Sequence, residues 1–279
     1  TRRLWYANGR HWLFYGDGVE LFFRTSVDGT EGSWSAATSL GSSFGTISDH
    51  LATWVSGTTL HYAIDGGGST TADIHYRKGT LNSDGTITWA AAEQTITQGG
   101  FGVKTIYGIV TDSIGRPWIC LSTWLLVSSG LKALRSSTTN GIWTTDVDTQ
   151  FERSGADGFI VPLTASKVYV GYPFASGYSA LAIGDVVYFA WVSISDARGK
   201  IYSGSAWSAK ETIATGDGSI KCSIRSAAGV WSQTGAFAPG YPTALAKVGN
   251  YVFAIWSDTV TNHLYYKRYF NGVWGTTVD

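Results

Sequence analysis

The sequence predicts an all-β protein, specifically a six-bladed β-propeller of four-stranded antiparallel blades. Glycine (35 residues) and tryptophan (13) are abundant among 279 residues, whereas there are only 5 prolines and no methionine. That composition is typical of short strands joined by tight glycine turns, and we expect helices to be rare. Two kinds of hairpin recur, six of each, which gives about 46 residues per four-stranded unit, the period of propeller blades.

The first kind of hairpin has a strand of small apolar residues, a short turn, and a strand rich in β-branched and aromatic residues. Its copies are "YPTALAKVGNYVFAIWSD", "YSALAIGDVVYFAWVSISD", "DHLATWVSGTTLHYAID", "TIYGIVTDSIGRPWICLST", "FIVPLTASKVYVGYPFAS" and "RRLWYANGRHWLFYGD". Small residues suit a strand that is crowded around a propeller axis, and large aromatic residues suit packing against the next blade. We interpret these six hairpins as the inner halves of the blades.

The second kind of hairpin carries a tryptophan after its turn, as in the closing stretch "HLYYKRYFNGVWGTTVD". The six tryptophans are Trp34, Trp89, Trp143, Trp207, Trp231 and Trp274. Because each recurs at the same place in its hairpin, we expect them to be structural packing anchors rather than sugar platforms. Most copies also carry a cation late in the first strand, and we expect Arg24, Arg77 and Arg135 to be solvated or stacked on neighbouring tryptophans.

One region departs from the regular order of hairpins. Between Gly158 and Phe237 the order is inner, inner, outer, outer, and Trp207 and Trp231 are too close for a whole blade between them. Either one blade is inserted into another, or one hairpin is misassigned. A seven-bladed ring with degenerate blades is the alternative to six, and in both cases residues 1–279 are expected to form a single β-propeller domain.

The turns of the outer hairpins resemble a motif of the sialidase (neuraminidase) propeller superfamily, the Ser-x-Asp-x-Gly-x-x-Trp turn called the Asp box. "SVDGTEGSW" keeps Asp28, Gly32 and Trp34 with one extra residue, and "NSDGTITW" keeps Asp84 and Trp89. In that superfamily the box is structural, because the aspartate holds its own turn. The resemblance therefore implies the fold and not the activity.

The same resemblance implies where hydrolytic chemistry would lie. Sialidases grip the substrate carboxylate with arginines, and use an aspartate acid/base and a tyrosine nucleophile backed by glutamate. The first strand here, "TRRLWY", has arginines but lacks the Ile-Pro of the family motif. If the protein is an exo-glycosidase of sialidase type, the resemblance points to Arg3, Asp49 and Tyr241. No residue is assigned a catalytic role, and a non-enzymatic role is favoured.

A weaker resemblance is to six-bladed fucose-type lectins, whose repeats have a similar length and end in Gly-x-Trp. Those lectins place an arginine and a glutamate in each pocket between blades. In this sequence the arginine recurs in the outer hairpins, but a glutamate does not recur with it.

Propellers bind ligands at one end of the central channel, where the inner strands begin. The polar residues at those positions are the ligand-binding candidates. They are Arg2, Arg3, Asp49, His50, Lys104, Tyr107, Arg153, Asp157, Tyr178 and Tyr241. Arginine can clamp a carboxylate, and tyrosine offers a flat face with a hydroxyl, so the set suits a polyol or an anionic sugar.

Composition argues against several other classes of function. The net charge is zero and there is no run of Lys and Arg, which disfavours nucleic-acid binding and a polybasic membrane anchor. No stretch of 18 consecutive apolar residues occurs, so we expect no membrane insertion. Five histidines and two cysteines are scattered without ligand spacing, so neither a metal nor another cofactor is expected.

The favoured function is a non-catalytic, extracellular glycan-binding or surface-recognition propeller. One alternative is a structural subunit that decorates a larger surface or viral assembly, and a second is a sialidase-type glycoside hydrolase. Cys120 and Cys222 could form a disulfide in an oxidising compartment or be two buried thiols. A chain that opens without methionine is compatible with processing. We therefore expect a secreted or surface-associated protein, with a virion as one setting.

Overall fold

The computed structural model describes residues 3–43, 51–65, 73–97, 102–124, 130–151, 158–172, 178–192, 197–214, 220–237, 241–257, 261 and 263–279. These residues contain β-strands and turns, and no helix lies among them. The strands are β1 (Leu4–Ala7), β2 (Arg10–Gly16), β3 (Glu20–Ser26), β4 (Thr38–Ser43), β5 (Ala52–Ser56), β6 (Thr59–Asp65), β7 (Ile74–Leu81), β8 (Ile87–Trp89), β9 (Gln94–Ile96), β10 (Gly102–Thr111), β11 (Pro117–Trp124), β12 (Gly130–Ser136), β13 (Thr145–Phe151), β14 (Phe159–Pro162), β15 (Val168–Tyr172), β16 (Tyr178–Ile183), β17 (Val186–Val192), β18 (Ala197–Tyr202), β19 (Glu211–Ala214), β20 (Ile220–Arg225), β21 (Trp231–Phe237), β22 (Tyr241–Val248), β23 (Tyr251–Ser257), β24 (Leu264–Phe270) and β25 (Val273–Trp274).

These strands form six antiparallel sheets, which we number 1 to 6. Sheet 1 has the order β1-β2-β3-β4, sheet 3 the order β10-β11-β12-β13, and sheet 6 the order β22-β23-β24-β25. Sheet 2 has the order β5-β6-β7-β8, and β9 also pairs with β7. Sheet 4 has the order β14-β15-β18-β19 and sheet 5 the order β16-β17-β20-β21. The six sheets match the six predicted blades, and the described part of the chain holds no seventh.

The chain divides into two compact units. Unit 1 is Thr1–Gly155 and contains sheets 1 to 3, and unit 2 is Ala156–Asp279 and contains sheets 4 to 6. The single domain over residues 1–279 stays a prediction.

The core of unit 1 follows from the two-residue period of its strands. Along β6, Tyr62 and Ile64 point into a cluster that also contains Trp12 of sheet 1. Ala63, between them, points to the opposite face and joins a cluster with Ile119 of sheet 3. A strand that is apolar on both faces is therefore covered on both, as the sequence predicts for sheets stacked face to face.

Sheets 4 and 5 interleave along the chain. The inner hairpin of sheet 4 (β14–β15) is followed by the inner hairpin of sheet 5 (β16–β17), and the outer hairpins follow in the same order. β18 pairs with β15, and β20 pairs with β17. The four hairpins form as assigned, but the two blades alternate hairpin by hairpin, so neither blade is inserted whole into the other.

Two glycines inside the strands of sheet 4 are covered by aromatic rings. Phe159 of β14 lies over Gly171, where a Cβ would come within 2.1 Å of its ring. Tyr169 of β15 covers Gly199 of β18 in the same way, with a Cβ position 2.1 Å from its hydroxyl oxygen. These strands need glycine because the space for a side chain is filled by a ring from the next strand.

The six repeated tryptophans are all half-buried. Trp89, Trp143, Trp231 and Trp274 pack against the apolar clusters of the sheets. Trp207 makes an edge contact with Tyr202, at 5.2 Å between ring centroids. Of the repeated cations, Arg24 is exposed and Arg77 lies 4.3 Å from the centroid of the Trp89 ring.

Arg135 differs from a solvated strand residue, because it is buried. Its guanidinium lies 5.2 Å from the centroid of the Trp118 ring and donates hydrogen bonds of 2.9 and 2.6 Å to the two carboxylate oxygens of Asp146. Asp146 lies on the paired strand β13, and the Arg135 guanidinium holds the pKa of its carboxyl below the usual range. The ion pair makes burial of this arginine tolerable.

The aspartates of the two Asp-box-like turns hold their own turns. Asp28 Oδ1 accepts hydrogen bonds from the amide and the hydroxyl of Thr30, both at 2.9 Å. Asp84 Oδ1 accepts from the amide of Thr86 at 2.9 Å and from its hydroxyl at 2.7 Å. Hydrogen bonds to the charged form lower the pKa of both carboxyls, from Ser33 and Thr30 at Asp28 and from Thr86 at Asp84.

The two cysteines are buried and form no disulfide with each other. Cys120 lies on β11 of sheet 3, and burial raises the pKa of its thiol far above the ordinary value. Cys222 lies on β20 of sheet 5, against Ala254 and Trp256 of sheet 6. Of the two interpretations of these residues, the structure has the buried thiols.

Candidate functional site

The structure describes only part of the predicted channel-mouth set. Arg2, Asp49, His50, Arg153 and Asp157 lie outside the described residues. The strands that carry Lys104 and Tyr241 are placed (β10 and β22), but their side chains lie outside the description. The meeting of these ten residues at one mouth therefore stays a prediction.

Three members of that set are described. Arg3 is half-buried, and its carbonyl oxygen accepts a hydrogen bond of 2.9 Å from the amide of Phe14. Tyr107 is half-buried on β10. The hydroxyl of Tyr178 donates a hydrogen bond of 2.5 Å to the carbonyl oxygen of Gly158, and its ring lies against Phe159. Tyr178 thus ties β16 of sheet 5 to the start of β14 in sheet 4.

A tyrosine, a glutamate and a histidine meet in sheet 2. The hydroxyl of Tyr62 donates a hydrogen bond to Glu93 Oε2, and His75 Nδ1 lies 3.3 Å from Glu93 Oε1. A tyrosine backed by a glutamate is the nucleophile that the sialidase resemblance implies. Tyr62 is wholly buried, however, within the cluster between sheets 1 and 2. Its hydroxyl cannot reach a substrate, so the geometry is that of a structural pair.

A second histidine and tyrosine lie deeper in sheet 2. His61 Nδ1 is 2.9 Å from the hydroxyl of Tyr76, and both residues are almost completely buried. Burial, followed by the nearby charge of Lys78, lowers the pKa of His61 to about 3. Burial also raises the pKa of the Tyr76 phenol. Both groups are therefore neutral at physiological pH and form a satisfied core pair.

An ion pair between a buried arginine and a half-buried glutamate joins the two interleaved sheets. Arg225 of β20 donates hydrogen bonds of 2.8 and 2.7 Å to the two carboxylate oxygens of Glu211, on β19 of sheet 4. Glu211 also accepts a hydrogen bond of 2.9 Å from the indole nitrogen of Trp231. The side chains of Arg225 and Glu211 are 7% and 22% exposed. Arg225 thus has the glutamate partner that the repeat pattern does not reveal, because that partner comes from the other sheet.

A cavity of about 370 Å³ opens between sheets 5 and 6 in unit 2. Three hairpins meet there: β16–β17 of sheet 5, and β22–β23 and β24–β25 of sheet 6. The side chains that give the cavity its chemistry are those of Tyr188, Lys247, Asn250, Tyr269, Phe270 and Asn271. The volume lies within the range of about 300–1,000 Å³ that is usual for small-ligand sites.

Aromatic rings form the apolar part of this cavity. Tyr188 of β17 and Tyr269 of β24 meet edge to face, with ring centroids 5.8 Å apart. Phe270 is 41% exposed and lies 4.9 Å from the ring of Tyr251. Burial, followed by the neighbouring Tyr269, raises the pKa of Tyr188, so its hydroxyl keeps its proton at neutral pH.

The polar groups of the cavity are available to a ligand. Within the part of the chain that the structure describes, the ammonium of Lys247, the amides of Asn250 and Asn271, and the hydroxyls of Tyr188 and Tyr269 have no hydrogen-bond or ion-pair partner. Two of these five side chains project from tight turns. At Asn271-Gly272 both φ angles are positive (48° and 88°), as a type I′ hairpin turn requires.

This cavity is absent from the sequence-based candidates. Those candidates come from the starts of the inner strands, whereas the cavity is built from hairpin turns and the strand residues beside them. The sequence signal for it is an Asn-Gly or Gly-Asn turn flanked by Tyr or Phe, which occurs in "VGNYVF" and "RYFNGV". A turn motif of this kind does not show which other hairpin it faces.

Other kinds of site are not seen within the described residues. No group of three or more His, Cys, Asp or Glu is placed to hold a metal ion there. The described residues also contain no helix long and apolar enough to cross a membrane.

Comparison with known proteins gives structural likeness without sequence likeness. No protein-family model matches the chain, and no curated protein matches it in sequence. The structure is similar to that of the polysaccharide lyase Uly1, with a TM-score of 0.56 and 9% identity over 99% of this chain and 80% of that one.

Two further similar structures are those of an arabinanase and an arabinofuranosidase. The α-L-arabinanase of Penicillium chrysogenum, complexed with arabinobiose, has a TM-score of 0.50 at 11% identity over 96% of this chain and 93% of that one. The α-L-arabinofuranosidase Arb93A of Fusarium graminearum, in complex with an iminosugar inhibitor, has a TM-score of 0.50 at 12% identity over 99% of this chain and 93% of that one. At these identities the likeness shows the fold alone, and with the six sheets it confirms the predicted class, an all-β, six-bladed β-propeller.

Proposed function

We propose that this protein is a carbohydrate-binding β-propeller and that the cavity between sheets 5 and 6 is its saccharide site. The observation that carries the proposal is the composition of the cavity wall. Aromatic rings of Tyr188, Tyr269 and Phe270 lie beside polar groups that have no partner within the described residues. The cavity volume of about 370 Å³ has room for a short saccharide.

The chemistry of saccharides explains why this wall suits them. A sugar ring has an apolar face of C–H groups and an equator of hydroxyls that both donate and accept hydrogen bonds. An aromatic ring covers the apolar face, while amides and phenols can bind the hydroxyls in either direction. The structural likeness to a polysaccharide lyase and to an arabinanase complexed with arabinobiose supports a ligand of this class.

The cavity favours binding over hydrolysis. Glycosidases of the common type use a pair of carboxylic acids flanking the scissile bond. None of the described residues that line the cavity is an Asp, a Glu or a His. We therefore propose a non-catalytic role at this site. The accompanying proposal for location is the outside of a cell or a particle, where glycans are displayed.

The sialidase-type alternative rests on other residues. Of Arg3, Asp49 and Tyr241, only the Arg3 side chain lies within the description. The finer assignment to the sialidase superfamily is supported by the local geometry of the Asp28 and Asp84 turns. Those turns concern the fold, so they do not favour hydrolysis.

The test is a glycan-array screen of the full chain, followed by calorimetry on the strongest binder. Asn250→Ala and Tyr269→Ala should each weaken binding by about tenfold or more, because each removes a contact at the centre of the site. Asn250 is exposed, so its replacement leaves the core intact. Tyr6→Ala is the matched control: Tyr6 is 64% exposed in unit 1 and does not line the cavity. The absence of any binder, or binding that both variants leave unchanged, would overturn the proposal.

A further inference from the structure

We infer that the cavity between sheets 5 and 6 selects saccharides that carry an anionic group. The inference rests on the proposed function, because it names the class of saccharide for the same site. Its basis is Lys247, which has the one charged side chain among the described residues that line the cavity.

Lys247 is placed to face a bound ligand. It is the second-to-last residue of β22, just before the Gly249-Asn250 turn. In the antiparallel pairing of β22 with β23 it lies opposite Val252. Paired residues of an antiparallel ladder project from the same face, and Val252 also lines the cavity. Lys247 is exposed, and it has no ion-pair or hydrogen-bond partner among the described residues.

The neighbouring carboxylate does not neutralise Lys247. Asp185 lies in the β16–β17 turn, the hairpin of sheet 5 that contributes to the cavity. Its Oδ1 accepts hydrogen bonds of 2.9 and 2.6 Å from the amide and the hydroxyl of Thr164, and its Oδ2 lies 4.0 Å from Lys167 Nζ. Asp185 is therefore engaged by sheet 4, and the charge of Lys247 stays available.

The other described cation near these turns, Arg268, lies on the opposite face of β24 from Tyr269. Arg268 of β24 precedes Tyr269, and its guanidinium lies 5.5 Å from the centroid of the Tyr251 ring. Arg268 does not line the cavity, so Lys247 is the cation among the described residues that a bound ligand meets there. A hydrogen bond from an ammonium to an anion is roughly twice as strong as a neutral one, so an acidic sugar gains more here than a neutral sugar of the same shape.

The ammonium does not by itself distinguish one anion from another. Lysine binds as a compact point charge, without the planar fork by which arginine matches a carboxylate. The shared chemistry is therefore a single anionic substituent on a sugar ring, which is a carboxylate in a uronic acid and a sulfate in a sulfated glycan. The experiment therefore tests a carboxylated oligosaccharide and a sulfated oligosaccharide separately.

The experiment is calorimetry of the full chain with three matched oligosaccharides: oligogalacturonate, its neutral galactose counterpart, and a sulfated galactose oligomer. The wild type is expected to bind at least one of the acidic oligomers about tenfold or more tightly than the neutral one at low salt, and the preference should shrink as NaCl is added. Lys247→Gln should abolish most of that preference, because the acidic oligomers should lose far more affinity than the neutral oligomer does. Lys200→Gln, on β18 away from the cavity lining, is the matched control and should change nothing.

The possible failures can be told apart. The inference is overturned if acidic and neutral oligomers bind with equal affinity, or if Lys247→Gln keeps the preference. In either case the proposed function still stands if Asn250→Ala loses saccharide binding. If none of the three oligomers nor any array glycan binds, both the inference and the proposed function are overturned. The arm that binds tighter in the wild type identifies the anion as carboxylate or sulfate.

Discussion

His61 illustrates how the environment of one residue fixes its charge. Its ring is buried in sheet 2, contacts the Tyr76 hydroxyl, and has a pKa lowered to about 3 by burial. In the unfolded chain the pKa of a histidine is about 6.5, so below that pH the unfolded state takes up a proton that the folded state excludes. The contribution of neutral His61 to the free energy of unfolding is fully present above about pH 6.5, and it is lost as the pH falls toward 3.

The free energy of unfolding should therefore fall between pH 7.5 and pH 5 partly because of His61. His61→Gln should be less stable at pH 7.5, since it loses the contact with Tyr76, but it should lose less further stability at pH 5 than the wild type does. Urea unfolding at the two pH values measures this. His263→Gln is the comparison variant, because the side chain of His263 is 56% exposed and lies outside the core of sheet 2. An undiminished pH dependence in His61→Gln would contradict the assignment.

Gly171 shows how a single missing Cβ can matter. The ring of Phe159 occupies the space in which a Cβ would lie, at 2.1 Å from the nearest ring atom. Gly171→Ala should lower the free energy of unfolding by about 1–3 kcal/mol or more, because the ring must move within a packed core. Gly275→Ala is the control, since the nearest atom to its Cβ position is 3.6 Å away. Equal denaturation midpoints for the two variants would show that the ring of Phe159 moves aside at little cost.

At the scale of strands and hairpins, the interleaving of sheets 4 and 5 is the least predictable feature. A hairpin forms from local sequence, but the edge of β18 could pair with either inner hairpin before it. The choice depends on which inner hairpin lets β18 pair in a register that turns its apolar side chains toward the core. Tyr169 over Gly199 and the Glu211–Arg225 ion pair are two contacts that the observed pairing permits.

Glu211→Gln should destabilise the protein by about 3–5 kcal/mol, because it leaves the buried guanidinium of Arg225 without a counter-charge. The double variant Glu211→Gln/Arg225→Met should recover part of that loss, since neither charge is then buried alone. Denaturation of the four proteins in a double-mutant cycle measures the coupling.

The control for this cycle is Asp279→Asn. This substitution breaks the ion pair between His263 and Asp279, whose side chains are 56% and 59% exposed. It should lower the free energy of unfolding by no more than about 1 kcal/mol. A cost as small as this for Glu211→Gln would mean that water reaches Arg225 and that the pair does not hold the two sheets together.

At the scale of the whole molecule, the fold is detectable where sequence similarity is not. The structure resembles those of a polysaccharide lyase, an arabinanase and an arabinofuranosidase at 9–12% identity. A propeller blade requires only alternating apolar residues, tight turns and large rings at its faces, and many sequences meet those requirements. The site is more demanding, so the likeness of fold does not carry the residues of those enzymes to this chain.

The strands and their hairpins could be predicted from the amino-acid sequence. The two-residue alternation of apolar residues, the glycine turns and the six repeated tryptophans are local patterns, and local hydrogen bonding converts them into hairpins of the predicted kind. The count of six inner and six outer hairpins, and hence of six sheets, followed from those patterns alone.

Three features depend on how the hairpins pack together. They are the choice of hairpins that share a sheet, the pairing of Glu211 with Arg225, and the cavity that Lys247, Asn250 and Tyr269 line with Tyr188. Each of these depends on residues that are distant in sequence and lie on separate hairpins. A hairpin's pattern is the same whichever neighbour it packs against. The pairing is therefore settled by register, by face and by the burial of charge, which exist only once the hairpins have packed together.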